Sequence, residues 1–384
     1  MVLERTRPDR HAGRRLKQAV AALAAALLWG AAVAWGGVYP QVTGPCGLVF
    51  PRDHGPHPDH KTEWWYYTGN LRTEAGRHLG FQLTFFRSRV VPPGSTPAAS
   101  ASAWRVETIL LGHAAVSDMA GGRFFHDTEV ARAALGMADA RSASGGAVVF
   151  LKKWSLDIGT DAHRLQADAR GFGLSLAIRA EKPPVLHGED GYSRKGSTPE
   201  RASCYYSFTR LRAEGVITLG GERLPVRGLA WMDHEFSTSP LEPGLVGWDW
   251  FSLQLSDRTE VMIYLLRSAD GAFHPALSGT FVAPDGRSRH LERGEIRVLA
   301  ERRWKSPHSG AEYPSAWRIE IAPLDMRLSV RANLPDQEMA EGGAAGVVYW
   351  EGSVSASGSR DGRAVTGEGY VELTGYAEPL EALQ

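Results

Sequence analysis

The chain is written twice. Trp64 to Leu71, WWYYTGNL, matches Trp248 to Leu255, WDWFSLQL, and Gly80–Arg87 then aligns with Glu260–Arg267. Ala114–Asp118 aligns with Phe281–Asp285, Trp154–Ile158 with Trp317–Ile321, and Leu176–Ala180 with Leu328–Ala332. Glu214-Gly215 matches Glu351-Gly352, and Val226–Trp231 matches Val365–Tyr370. Any one match is chance-grade; seven in the same order are not. Neither copy holds an inner period of roughly 20–50 residues, which disfavours a solenoid or a propeller.

Within each copy apolar and polar residues alternate between Gly, Pro and Asp-Gly breaks, the pattern of antiparallel strands joined by tight turns. Gly80–Arg87 and Glu260–Arg267 are examples. The one good helical stretch is Asp127 to Ala138, with Asp127 as its N-cap. A barrel of about eight antiparallel strands suits a copy of this length, removes sheet edges and encloses room for one ligand. The expected fold is therefore all-β: two tandem antiparallel β-barrels. Their boundaries fall at 47–235 and 246–384, with Ser237 to Gly244 as the linker.

The first residues read as an address. Arg5, Arg7, Arg10, Arg14, Arg15 and Lys17 precede an apolar run from Ala19 to Trp35 that ends in Ala32-Val33-Ala34. A basic head, an apolar core and a small-x-small triplet fit an export signal over 1–34. Cleavage near Ala34 would leave a periplasmic or secreted protein; without cleavage the segment would anchor it to a membrane. Outside the cytoplasm Cys46 and Cys204 could pair. The 43 basic residues balance 43 acidic ones, which excludes an electrostatic nucleic-acid binder while leaving contact with a membrane surface open.

Three constellations carry chemistry. The first, Asp53 to Glu63, holds His54, His57, His60 and three carboxylates. Its side chains would suit a borderline metal, but Pro56 and Pro58 extend the loop. The readings are a metal site, a polar pocket wall formed by His54, His57 and Glu63, or a plain loop; the pocket wall is preferred and no metal is assigned. The second is the aromatic band Trp64, Trp65, Tyr66, Tyr67, echoed by Trp248, Trp250 and Phe251. Such aromatics are core plugs, or they line an apolar site and cradle a cation on their π faces. Gln82, on the strand that follows, joins the ligand-binding set.

The third is Trp231-Met-Asp233-His234-Glu235. In the repeat Trp231 corresponds to Tyr370 and Asp233 to Glu372, whereas His234 and Glu235 meet Leu373 and Thr374. A residue needed only by the fold should recur in both copies. The broken symmetry marks Asp233, His234 and Glu235 as a general acid with its orienting partners; the alternative is a solvated strand end. Gly-x-Ser-x-Gly elbows, phosphate loops and dinucleotide fingerprints are absent from the sequence, so no cofactor is expected.

These motifs resemble the AttH/CrtC family, lipocalin-like proteins that include carotenoid 1,2-hydratases and secreted hydrolases. The resemblance rests on Asp53-His-Gly-x-His57, Glu63 to Gly69, Gly80 to Arg87, Trp231-Met-Asp-His-Glu235, Gly247-Trp-Asp-Trp250 and Gly369 to Tyr376. Met232 to Glu235 departs from the hydratase pattern and places the chain nearer the AttH-like branch. The resemblance implies two lipocalin-like barrels meeting at a ligand pocket for a hydrophobic polyene-, terpenoid- or lipid-like molecule. It implies either hydratase-type chemistry, with Asp233 protonating an alkene, or a non-enzymatic carrier serving an ABC transporter of the lipoprotein-release type. On either reading Asp233 and His234 are expected in one pocket with Glu63 or His54, walled by Trp231 and Trp248 or Trp250.

Overall fold

The computed structural model describes residues 38–95, 105–239, 241–340 and 347–380. The export segment expected over 1–34 lies outside the described residues. No helix among those described is long and apolar enough to cross a membrane.

The strands fall into two antiparallel sheets. The first holds β1 (Thr62–Thr73), β2 (His78–Arg89), β3 (Thr108–Asp118), β4 (Arg123–Arg132), β5 (Ala138–Ala143), β6 (Gly146–Leu151) and β7 (Trp154–Ile158). It continues with β8 (His163–Ala169), β9 (Phe172–Ala180), β10 (Val185–Leu186), β11 (Tyr192–Arg194), β12 (Ala202–Leu219) and β13 (Glu222–Ser237). The second holds β14 (Leu245–Leu255), β15 (Glu260–Ser268), β16 (Ser278–Val282), β17 (Ser288–Leu291) and β18 (Ile296–Lys305). It ends with β19 (Glu312–Ile321), β20 (Met326–Ala332), β21 (Glu338–Met339), β22 (Tyr349–Arg360) and β23 (Arg363–Leu373).

In the first sheet the order is β4-β3-β2-β1-β13-β12-β9-β8-β7-β6-β5, with β10 and β11 on β12. Its ends approach one another where β3 and β4 meet β6, so that eleven of the sheet's thirteen strands, rather than about eight, form a nearly closed barrel. The second sheet, β17-β16-β15-β14-β23-β22-β20-β19-β18 with β21 on β22, is a half-barrel.

The register carries the duplication. On β1 Tyr66 lies opposite Asp233 of β13 and Thr84 of β2; on β14 Trp250 lies opposite Glu372 of β23 and Tyr264 of β15. All three pairs agree with the repeat. The 176/328 and 226/365 anchors agree too: Leu176 and Val226 both meet Gly215, as Leu328 and Val365 both meet Gly358. Three anchors slip. Glu351 stands opposite Glu372 as Ser207 stands opposite Asp233, so its counterpart is Ser207 and not Glu214. Val116 rather than Ala114 corresponds to Phe281, and β19 corresponds to β8 rather than to β7. The first copy has extra strands at this end, so short matches there can slide.

Three apolar layers follow from side-chain alternation. Trp65, Tyr67, Phe81 and Leu83 fill the first barrel, and Phe251, Leu253, Ile263 and Trp317 fill the half-barrel. Between the two sheets lie Tyr66, Tyr205, Trp231, Trp250, Tyr264 and Tyr370. Because the second sheet covers the back of β1, that strand is buried on both faces. This explains an unbroken aromatic run where a one-sided strand would alternate.

Asp127–Ala138 is not helical: it spans the second half of β4, a turn and the start of β5. An isolated helix of that length is marginal in water, at roughly 12 residues, while β4 pairs with β3 along its whole length. Leu135 and Gly136, both left-handed with φ of 55° and 70°, turn the chain between the strands. Asp127 caps nothing; its carboxylate receives the Arg170 backbone N–H at 2.9 Å and the Arg170 side chain at 3.0 Å. The Cys46–Cys204 pairing does form, with the two Cα atoms 5.8 Å apart, and ties the first described segment to β12.

Candidate active site

Neighbours in sequence separate in space. Successive strand residues point to opposite faces, so β13 sends Trp231, Asp233 and Glu235 between the sheets and Met232 and His234 into the first barrel. The single pocket expected for Asp233, His234 and Glu63 is therefore two sites. His54, His57, Glu63, Trp65, Tyr67 and His234 line the barrel side. Trp64, Gln82, Trp231, Asp233, Glu235, Trp248 and Trp250 lie on the inter-sheet side.

On the barrel side Glu63 is fully buried and is the hub. Its Oε1 bonds to His57 Nδ1 at 2.8 Å and His234 Nε2 at 2.9 Å, while Oε2 accepts Arg87 Nε at 2.7 Å. Burial would raise the Glu63 pKa, but the hydrogen bonds from His234 and His57 and the Arg87 charge hold it well below the usual carboxylate range. Burial also lowers His234, and it lowers His54 to about 4 with help from the His234 charge. His54 Nδ1 meets the Tyr206 hydroxyl at 2.7 Å, Trp65 donates to the His54 carbonyl at 3.1 Å, and the Trp65 ring stacks on His234. Tyr67 meets His163 Nδ1 at 2.8 Å.

Metal-capable donor atoms of His57, Glu63 and His234 lie within 4.8 Å of one another. The three groups already bond each other, and the Arg87 guanidinium on the same carboxylate opposes a second cation. The geometry is that of an internal polar network bracing the end of the barrel.

Between the sheets Asp233 is 4% exposed and takes three donors. Trp231 Nε1 reaches Oδ1 at 2.6 Å, the Ser207 hydroxyl reaches the same oxygen, and the Tyr205 hydroxyl reaches Oδ2 at 2.8 Å. Trp250 Nε1 in turn donates to the Tyr205 oxygen at 3.1 Å. Desolvation pushes the Asp233 carboxyl up to about 7 against those three bonds, with the Glu235 charge adding to the rise.

Two more buried carboxyls share the layer. Burial and the charges of Asp233 and Glu235 push Glu372 up to about 8, although Trp248 Nε1 donates to it at 3.2 Å. Glu351 is raised well above the carboxylate range by burial and the neighbouring Glu372, and its Oε1 accepts the Tyr66 hydroxyl at 2.7 Å. Trp250 packs edge-to-face on Tyr66 at 5.2 Å and on Trp231 at 6.1 Å. Glu235 instead pairs with Lys195 at 3.1 Å, whose ammonium sits 4.0 Å from the Tyr264 ring centroid. The layer meets solvent where Trp64, Leu241, Trp248 and Ala276 are half-buried.

Sequence reasoning missed Tyr205, Ser207, Lys195, Glu351 and Glu372 as site residues. A signal for Glu372 was present: it is Asp233's counterpart in the repeat. The broken symmetry at 234–235 points to the barrel face through His234, whereas the acid present in both copies faces the layer.

The fold and site define a tandem lipocalin-like protein with carboxyls buried in an aromatic layer between its sheets, where desolvation raises their pKa values. The chain belongs to the AttH-like family, whose pattern matches residues 41–376. An AttH protein of Nitrosomonas europaea is 35% identical, with 88% of this chain and 99% of that chain superposed at a TM-score of 0.77. Kievitone hydratase from Nectria haematococca shares the fold at a TM-score of 0.64 and 15% identity, over 89% of this chain and 97% of that one. In sequence, the dehydratase asqC of Emericella nidulans is 22% identical over 217 residues, 55% of this chain. The chain spans about 60% of the length of that curated relative.

Proposed function

We propose that the chain is a hydro-lyase, adding water to or removing it from an apolar, polyene- or terpenoid-like substrate held between the sheets, with Asp233 as the proton donor. The observation that carries this reading is Asp233 itself: a carboxyl pushed up to about 7, oriented by three donors, among Trp231, Trp250 and Tyr66. An exposed aspartic acid is ionised at neutral pH and is a poor acid; this one, raised to about 7, still holds its proton about half the time at neutral pH. A relative named as a dehydratase supports the class, because hydration and dehydration are one reaction run in two directions.

The step balances without a cofactor. Asp233 passes its proton to one alkene carbon, whose π pair becomes the new C–H bond. The tertiary cation left behind is favoured by nearby π faces. Water then forms the C–O bond, and its surplus proton returns to the Asp233 carboxylate. His234 and Glu63 stand on the opposite face of the strand and brace the barrel; they have no part in this step. Glu235, salt-bridged to Lys195, sets the charge at the rim.

Export belongs to the same reading. The disulfide between Cys46 and Cys204 supports an oxidising compartment, in keeping with the basic-apolar segment at 1–34. Solvent extraction and mass spectrometry of the protein purified from its native source test the substrate class. A copurifying polyene or terpenoid alcohol supports it; a phospholipid or lipoprotein overturns it in favour of a carrier.

A further inference from the structure

Three buried oxygens on the inter-sheet face have no hydrogen-bond partner among the described residues: Thr68 Oγ1, Gln82 Oε1 and Glu351 Oε2. All three residues are almost fully buried, at 0%, 1% and 0% exposure. Buried polar groups are nearly always satisfied. Three orphans on neighbouring residues point to an occupant.

Thr68 and Gln82 face each other across β1 and β2, and alternation puts both on the side of Tyr66 and Trp231. Glu351 is drawn to the same face from the other sheet, because its Oε1 accepts the Tyr66 hydroxyl at 2.7 Å. Two residues earlier on the same face of β22, Tyr349 receives Gln82 Nε2 at 3.1 Å. Glu351 therefore sits over the β1–β2 pair, between Tyr66 and Gln82. Thr68 is opposite Trp231, one same-face position from the Tyr66–Asp233 pair.

We propose that Thr68, Gln82 and Glu351 form a subsite for a single water molecule, and that this is the water added to or released by the substrate beside Asp233. The proposal rests on the hydro-lyase reading only for the fate of that water. Valence fits one water. Burial keeps Glu351 neutral, so with Oε1 accepting from Tyr66 its Oε2–H is a donor without an acceptor. The water takes that hydrogen on one lone pair, takes the Thr68 hydroxyl hydrogen on the other and gives one of its own to Gln82 Oε1. About three hydrogen bonds is the usual complement of a buried water. The Thr68 hydrogen bond gives way as that lone pair forms the C–O bond, after which the oxonium proton leaves for the Asp233 carboxylate.

The test is a crystal structure of the substrate-free protein that resolves ordered water, paired with Thr68→Val and Glu351→Gln. One water within hydrogen-bond distance of all three oxygens is expected. Thr68→Val should remove it and lower Tm by about 2 °C. Glu351→Gln keeps a donor at that position and should retain the water. A dry site overturns the proposal: no density there, and a higher Tm for Thr68→Val because an unpaired hydroxyl has gone. Should Thr68→Val fail to fold, the wild-type density and Glu351→Gln still decide. Water present with turnover intact in Asp233→Asn would defeat the hydro-lyase reading and leave the subsite; a dry site with turnover abolished in Asp233→Asn would do the reverse.

Discussion

Asp233 and Glu372 occupy the same register position in the two copies, one opposite Tyr66 and the other opposite Trp250. The sheets pack back to back, so both acids enter one aromatic layer, and burial raises both into the neutral range, to about 7 and about 8.

Stability should fall as pH rises across that range. The folded values are raised, to about 7 for Asp233 and about 8 for Glu372. The native state thus holds protons that the unfolded chain releases, and the contribution is complete below about pH 4 and lost on the way to pH 8. Glu372→Gln cannot ionise and should melt higher than wild type at pH 8 but level with it at pH 4. Thermal unfolding at both values checks this; equal differences at the two would refute it.

Asp233→Asn preserves shape and acceptor but has no proton to give. Turnover of the extracted substrate should vanish while affinity stays within a few-fold. Wild-type activity should decline as pH rises through about 7, following loss of the acid form.

Tyr205→Phe removes a bond that favours the ionised carboxylate. The Asp233 pKa should rise, and the alkaline limb of the pH–rate profile should move upward with it. A downward shift would mean that the hydroxyl serves the neutral acid instead.

Arg87→Met strips a charge partner from a fully buried carboxylate. Breaking such a pair costs about 3 kcal/mol or more, and the denaturant midpoint should drop accordingly. Glu63 is depressed below its ordinary range, so its contribution exists above that range and is lost in acid. The gap between variant and wild type should therefore narrow as pH falls. His234→Ala should act the same way, costing stability far more than turnover.

Reducing the Cys46–Cys204 bridge reopens a loop of 158 residues. Closing a loop of that length is worth about 5 kcal/mol in the chain-entropy account. Unfolding with and without reductant should show a comparable loss, and Cys204→Ala should abolish the difference.

Much of this was legible in one dimension. Strand periodicity, the turn signals and the ordered repeat determine an all-β chain in two similar halves, because side-chain alternation and the copying of a core are local properties. The first-strand equivalence of Trp64–Leu71 and Trp248–Leu255, and that of Asp233 and Glu372, follow from the repeat alone. Which face of β13 becomes a site does not. That choice was made when the second sheet covered the back of β1 and β13, burying Asp233 among aromatics and leaving His234 to the barrel. Glu351 reaches Tyr66 across 285 residues of chain, and Tyr205 meets Trp250 across 45; no spacing rule encodes either contact. The lost helix at 127–138 has the same origin, since pairing with β3 supplies hydrogen bonds that a short isolated helix cannot match. Local sequence set the strands and their phase; the packing of one sheet on another decided which carboxyls would be dry, and dryness is what makes an acid of them.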